Sequence, residues 1–126
     1  MTVSNGDKEF TNYIVDLMQS IGPVSAKRMF GGYGIFLNDL MFALISNGLL
    51  YLKVDAENKE IFIKNKLNAF SYMKKGKECH LAYFQSPEDA LEDPDIMNSW
   101  AKASYAAALR AAAKKQQNIP SIYNKD

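Results

Sequence analysis

At 126 residues the chain has the length of one domain with one core, and 48% hydrophobic against 23% charged residues is a globular composition, not a disordered one. Its 15 basic and 14 acidic residues leave a formal charge of +1, so no global field exists to hold a polyanion or a membrane surface, and any nucleic-acid contact has to be local. The single cysteine, Cys79, excludes an internal disulfide, and Met1 to Lys8 carry no apolar run behind a basic start; a cytoplasmic protein without export signal or membrane anchor is expected.

Taken in chain order, Phe10, Tyr13, Ile14, Leu17, Met18 and Ile21 fall at helical spacing, with Asn5 or Asp7 able to cap the start and Gly22-Pro23 to stop the end. From Ala26 to Asp55 the pattern shortens: Lys27 to Phe30 lead into a strand from Tyr33 to Leu37, followed by Leu40 to Ser46 and Leu49 to Val54. Asn38-Asp39 and Asn47-Gly48 tolerate the left-handed backbone of tight hairpin turns, so these strands should form an antiparallel meander. Strict alternation puts Met41, Ala43 and Ile45 on one side of the middle strand and Phe42 and Leu44 on the other, which makes both faces apolar.

Glu57 to Leu67 predicts a shorter helix with Ile61, Phe62 and Leu67 inward and Asp55 capping its start. Phe70 to Lys74 and Cys79 to Gln85 then predict a hairpin around Lys75-Gly76-Lys77. Ser86-Pro87-Glu88-Asp89 and Asp93-Pro94-Asp95 both carry helix-start chemistry, the second opening an alanine-rich helix from Ile96 to Gln117 that can lie close to a sheet. The expected fold is therefore α+β in two layers, in the order helix, three strands, helix, two strands, helix, with an antiparallel five-stranded sheet and an ordered core of about residues 7–117 in a single domain spanning 1–126.

Arg28-Met29-Phe30-Gly31-Gly32-Tyr33-Gly34-Ile35 is the most distinctive stretch, but a strand follows these glycines where a phosphate-cradling loop needs a helix N-terminus. Gly31 and Gly32 are expected to shape a turn or bulge, and Gly34 to let another backbone or ring lie close. Cys79 and His80 adjoin on a strand and point to opposite faces, so they cannot share a metal or act as nucleophile and base. Glu88, Asp89, Glu92, Asp93 and Asp95 complement the dipole of the last helix, whose other end has Arg110, Lys114 and Lys115. No catalytic residue, cofactor site or metal site emerges. Lys74, Lys75 and Lys77 form the best local basic patch, with Tyr72 and Tyr83 near enough to stack on bases.

Arg28 to Ile35, then Met41-Phe42-Ala43-Leu44-Ile45, then Leu50-Tyr51-Leu52-Lys53-Val54-Asp55 resemble the N-terminal domain of the TfoX/Sxy competence regulators. Asp93-Pro94-Asp95 with Trp100-Ala101 and the alanine-rich helix looks like the same family's closing segment, so the likeness runs from about Phe10 to Ala113. The resemblance implies the same element order, no enzymatic activity and no cofactor. It also implies assistance to transcription of DNA-uptake genes together with the cyclic-AMP receptor protein, so that transcription machinery or an activator protein is the expected partner. Full-length members carry a second, C-terminal domain, and this chain stops just after its third helix.

A non-enzymatic regulatory interaction module is the leading expectation. It would act through the sheet face opposite the helices or its edge, with Arg28, Phe30, Tyr33 and Lys53 as contacts and Gly31, Gly32 and Gly34 shaping the surface; homodimerisation could cover the same face. The alternatives are nonspecific DNA binding through Lys74, Lys75 and Lys77, and an enzyme whose site the sequence does not declare.

Overall fold

The computed structural model describes residues 5–29 and 31–117. The first helix, α1 (Asn5–Leu17), turns its buried stripe inward through Thr11 and Ile14 and continues through Met18 into a short 3₁₀ turn, Gln19–Ile21. Ile14 and Met18 are fully buried, whereas Tyr13, expected inward, stands 47% exposed with its hydroxyl donating to the carbonyl oxygen of Leu91.

Four strands follow, not three: β1 (Ser25–Met29), β2 (Gly32–Leu37), β3 (Leu40–Ser46) and β4 (Leu49–Lys53). A second helix, α2 (Lys59–Lys64), precedes the hairpin of β5 (Ala69–Lys74) and β6 (Lys77–Gln85), and a 3₁₀ turn at Glu88–Glu92 leads into α3 (Pro94–Gln117). The strand order is β1-β2-β3-β4-β6-β5, every neighbouring pair antiparallel. The sheet thus has six strands where five were expected, and the order is helix, four strands, helix, two strands, helix. The additional strand pairs with β2 from Ser25↔Phe36 to Met29↔Gly32. It is an edge strand with mostly solvated side chains, so no apolar alternation marks it.

Three two-residue turns whose residues are all described have the double left-handed geometry that matches strand twist: Asn38 and Asp39 (φ 52° and 63°), Asn47 and Gly48 (52° and 77°), Lys75 and Gly76 (52° and 78°). Those turns set the register between hairpin neighbours, but one irregularity lies inside β3. Ile35 pairs with Ala43, and the next residue, Phe36, pairs with Met41, so Phe42 and Ala43 together oppose one residue of β2. The bulge overturns the strict alternation expected for β3. Phe42 joins Ala43 and Ile45 on the helix side, fully buried and edge-on to Tyr105 of α3 at 5.7 Å, while Met41 moves to the opposite face with Leu44.

The core lies between the helices and one face of this sheet. Ile35, Leu37, Phe42, Ala43, Ile45, Leu50 and Leu52 meet Ile14 and Met18 from α1 and Met97, Ala101 and Ala108 from α3. α3 rests on β3 and β4, and α1 on β1 to β3. Small residues on α3 permit the close approach expected of it: Ala101, Ser104 and Ala107 are fully buried. The short α2 is anchored by Phe62 alone, wedged against Phe84 and Trp100, and Ile61, expected inward, is 49% exposed.

A polar clamp joins the end of β4 to α2 and α3. Arg110 donates through Nε to Oδ2 of Asp55 at 2.6 Å and through Nη2 to Oδ1 at 3.0 Å, and Nε also lies 3.1 Å from Glu57. Asp55 accepts the backbone N–H of Glu57 and of Asn58, while Asn58 Oδ1 accepts the Asp55 N–H and its Nδ2 donates to the Lys53 carbonyl. Asn58, not Asp55, is the residue that directly precedes α2. The Arg110 hydrogen bond, opposed by burial and helped by those backbone N–H groups, holds the Asp55 carboxyl below its ordinary 3.8.

A carboxyl with a depressed native pKa contributes stability that is fully present above its unfolded value and disappears as pH falls through the folded one. Asp55→Asn should therefore lower the urea-unfolding midpoint at about pH 7, and its deficit relative to wild type should shrink once pH drops below about 4. Midpoints for both proteins across that range check this, and a deficit unchanged down to about pH 2 contradicts it.

Candidate interaction groove on the helix-free face

The face of the sheet away from the helices is concave. Met29, Gly32, Tyr33, Met41, Leu44, Ile45 and Ser46 from β1 to β3 line one hollow of about 740 Å³ together with Phe70, Tyr72, Met73, Lys74, Leu81 and Tyr83 from the β5–β6 hairpin. β4 separates these two groups in the sheet, so one shared hollow requires the sheet to bend about β4. The hairpin can bend because most of it lacks a β4 partner: β4 pairs with β6 only at Tyr83, Phe84 and Gln85, and one further bond from the Val54 N–H to Ala82 closes that contact.

Apolar and aromatic groups dominate the lining. Leu44 and Tyr83 are each 7% exposed with no helix above them, whereas Tyr72, Met73 and Leu81 on the hairpin are 39%, 67% and 42% exposed. Tyr51 and Phe70 meet edge-on at 4.9 Å, and Phe70 stacks with Tyr72 at 6.1 Å, which stiffens the bend at the base of the hairpin. Burial pushes the Tyr83 hydroxyl up to about 12 and raises Tyr51 as well, so both phenols stay neutral at physiological pH.

The glycines permit this surface in different ways. A Cβ on Gly32 would overlap the backbone carbonyl of Ile45, a close approach that only glycine allows. A Cβ on Gly34 would meet the thioether sulfurs of Met29 and Met41, at 2.5 and 3.1 Å, and the ring of Phe36 at 3.0 Å. Gly31 has φ +76° and open space around it, as a turn residue should.

The candidate contacts read from the sequence divide between the two faces. Gly32 lines the hollow and Gly34 lies on the same side of β2, whereas Tyr33 borders the hollow but turns its side chain to the helix-side core. Lys53 shares that face with its ammonium 5.2 Å from the centre of the Tyr83 ring. Arg28 is exposed on the edge strand and pairs with Tyr33, which packs against the core, so it belongs to the helix side. Phe30 lies outside the described residues. Lys74 lines the hollow, Lys77 is its cross-strand partner, and Lys75 occupies the turn. Two stretches far apart in sequence, the glycine motif and the lysine turn, therefore border one concavity.

Met29, Met41, Leu44, Phe70 and Leu81 are not among the contacts expected from the sequence, although Met41 and Leu44 belong to the doubly apolar strand and Phe70-x-Tyr72 and Leu81-x-Tyr83 carry the signal of one shared face. Elsewhere, Asp93 caps α3 by accepting the N–H groups of Asp95 and Ile96, which accounts for part of the acidic cluster. His80 turns to Glu78 at 3.6 Å, and the Cys79 thiol points instead to the Lys77 carbonyl.

These features define a class: an antiparallel sheet backed by helices on one side, with a curved, apolar, lysine-bordered face on the other. The TfoX N-terminal domain model matches residues 16–108, from within α1 to within α3, and the chain belongs to that family. It is 25% identical over 95 residues to Protein Sxy of Escherichia coli K12 and 29% identical over 86 residues to DNA transformation protein TfoX1 of Aliivibrio fischeri. Those alignments cover 75% and 68% of this chain but 46% and 39% of the relatives, so the chain spans less than half the length of the curated relatives it matches.

The contrast between the two strand glycines is measurable. Gly32→Ala forces backbone to move and should cost about 1–3 kcal/mol or more, the range for overpacking. Gly34→Ala displaces mainly the flexible ends of Met29 and Met41 and should cost less than that, to be checked by urea unfolding of both variants.

Proposed function

We propose that this chain is a non-enzymatic protein-interaction module of the competence-regulator kind, and that it docks a component of the transcription apparatus on the helix-free face. The observation carrying this reading is the groove itself: Tyr72 and Leu81 stand exposed above a floor of Leu44 and Tyr83. An exposed apolar concavity of that size is a feature that soluble domains keep for contact. Membership of the TfoX N-terminal domain family, and the name of the Aliivibrio relative as a DNA transformation protein, support a role in regulating competence. Among the described residues no group of three or more His, Cys, Asp or Glu side chains is placed to hold a metal, and no helix is long and apolar enough to cross a membrane.

The reading is tested by biosensor titration of the purified chain against RNA polymerase and against the cyclic-AMP receptor protein. Saturable binding to one of them, weakened about ten-fold or more by Leu81→Asp and little changed by the helix-side Arg28→Ala, is expected. Binding that Leu81→Asp leaves intact, or no binding to either protein, contradicts it.

Direct DNA binding is favoured by one feature, the exposed run of Lys74, Lys75 and Lys77 at the hairpin tip. Duplex titrations at two salt concentrations separate the readings, because phosphate-led affinity falls steeply as salt rises while apolar docking does not.

A further inference from the structure

The formal charge of +1 conceals a segregation of charge across the sheet. Among the described residues Glu78 is the single carboxylate within a strand, and it pairs with Met73 and turns toward His80, on the alternate parity to Tyr72 and Lys74. The helix-free face carries Lys27, opposite Gly34, Lys53, opposite Tyr83, and the mutual partners Lys74 and Lys77. Lys27 lies over the Phe36 ring at 5.3 Å and Lys53 over Tyr83 at 5.2 Å, so their alkyl stems extend the apolar surface and their ammonium groups stay at its border. Among the described residues no carboxylate lines the groove, and the one charged lining residue is Lys74. An occupant complementary to this surface is apolar in the middle and acidic at its flanks.

Backbone chemistry narrows the occupant further. The middle of the groove floor lies on β2 and β3, each paired on both sides, so that part of the floor offers an incoming chain no ladder of free N–H and C=O groups, whereas β1 and β5 are sheet edges. An extended peptide laid there would bury unpaired backbone groups at about 1–3 kcal/mol each, whereas an α-helix satisfies its own. Met29 and Met41 supply flexible, polarisable walls of the sort that accommodate the apolar stripe of a helix.

We infer that the groove receives an amphipathic α-helix with acidic flanks, its apolar stripe over Met41, Leu44, Leu81 and Tyr83 and its carboxylates reaching Lys53 and Lys74. This rests on the protein-interaction reading above and specifies the chemistry of the partner segment.

The test uses a fluorescein-labelled peptide of about 16 residues with leucines at i, i+3, i+4 and i+7 on an alanine and glutamate background, titrated with the full chain by anisotropy. Its controls replace every glutamate by lysine, or scramble the leucines at constant composition. The glutamate peptide should bind about ten-fold or more tighter than either control. Lys53→Glu combined with Lys74→Glu should erase that preference without changing the thermal melt, and Leu81→Asp should weaken the glutamate peptide about ten-fold. Equal affinities for the three peptides overturn the inference. So does an oligothymidine single strand or oleate that displaces the peptide at lower concentration than the peptide itself requires, since the occupant is then a nucleic acid or an acyl carboxylate. If RNA polymerase or the receptor protein binds the groove but the glutamate peptide does not compete, the docking face stands and the acidic helix fails. If the peptide binds and neither large partner does, the acidic helix stands and the transcription partner fails.

Discussion

The bulge in β3 is the constraint on which the rest of this structure depends. By setting Phe42 and Ala43 together against a single residue of β2, it breaks the two-residue period of β3 and sends Phe42 to the helix side and Met41 to the other. On the helix side, full burial of Phe42 stabilises by about 1.5–3 kcal/mol, and its edge-on contact with Tyr105 ties β3 to α3. On the other side, Met41 is free to lie over Gly34 beside Met29 and to become part of the groove wall. One extra residue thus supplies both a core anchor and a surface feature.

Curvature is the second half of the same arrangement. A flat sheet would keep β2 and β3 apart from the distal part of β5 and β6, with β4 between them. Because β4 is short and engages only the last residues of β6, the hairpin is free to swing inward, and the Tyr51, Phe70 and Tyr72 rings pack along the bend. The opposite face has no such freedom, since α1 and α3 cover it and the Asp55–Arg110 pair fastens the end of β4 to α3.

Much of the fold was legible in local chemistry. The Asn38-Asp39, Asn47-Gly48 and Lys75-Gly76 turns announce their hairpins because few residue pairs tolerate two left-handed conformations in succession. Asp93 before Pro94 marks the start of α3 for an equally local reason, an acceptor placed to take the first free N–H groups. What was not legible depends on distant partners. β1 has no apolar alternation, and only its pairing with β2 makes it a strand. Ile61 had the spacing of a core residue, but α2 is too short to turn more than Phe62 inward. The groove was visible only as separate pieces, the glycine motif and the lysine turn, because bending about β4 joins residues some forty positions apart in the chain, as Gly32 and Lys74 are. Arg28 lies on the edge strand β1, the edge that the expected surface allowed, but on the opposite pleat to Lys53, a parity that cannot be counted across a turn at Gly31 and a strand without apolar alternation.

Nuclear Overhauser contacts of Met41 and Phe42 in solution test the central claim most directly. The bulge predicts that the Met41 methyl group contacts Met29 and Phe36 on the helix-free face while the Phe42 ring contacts Tyr105 on α3. Contacts in the reverse sense, Met41 with Tyr105 and Phe42 with Phe36 or Tyr83, would restore strict alternation in β3 and remove both the core anchor and the groove wall.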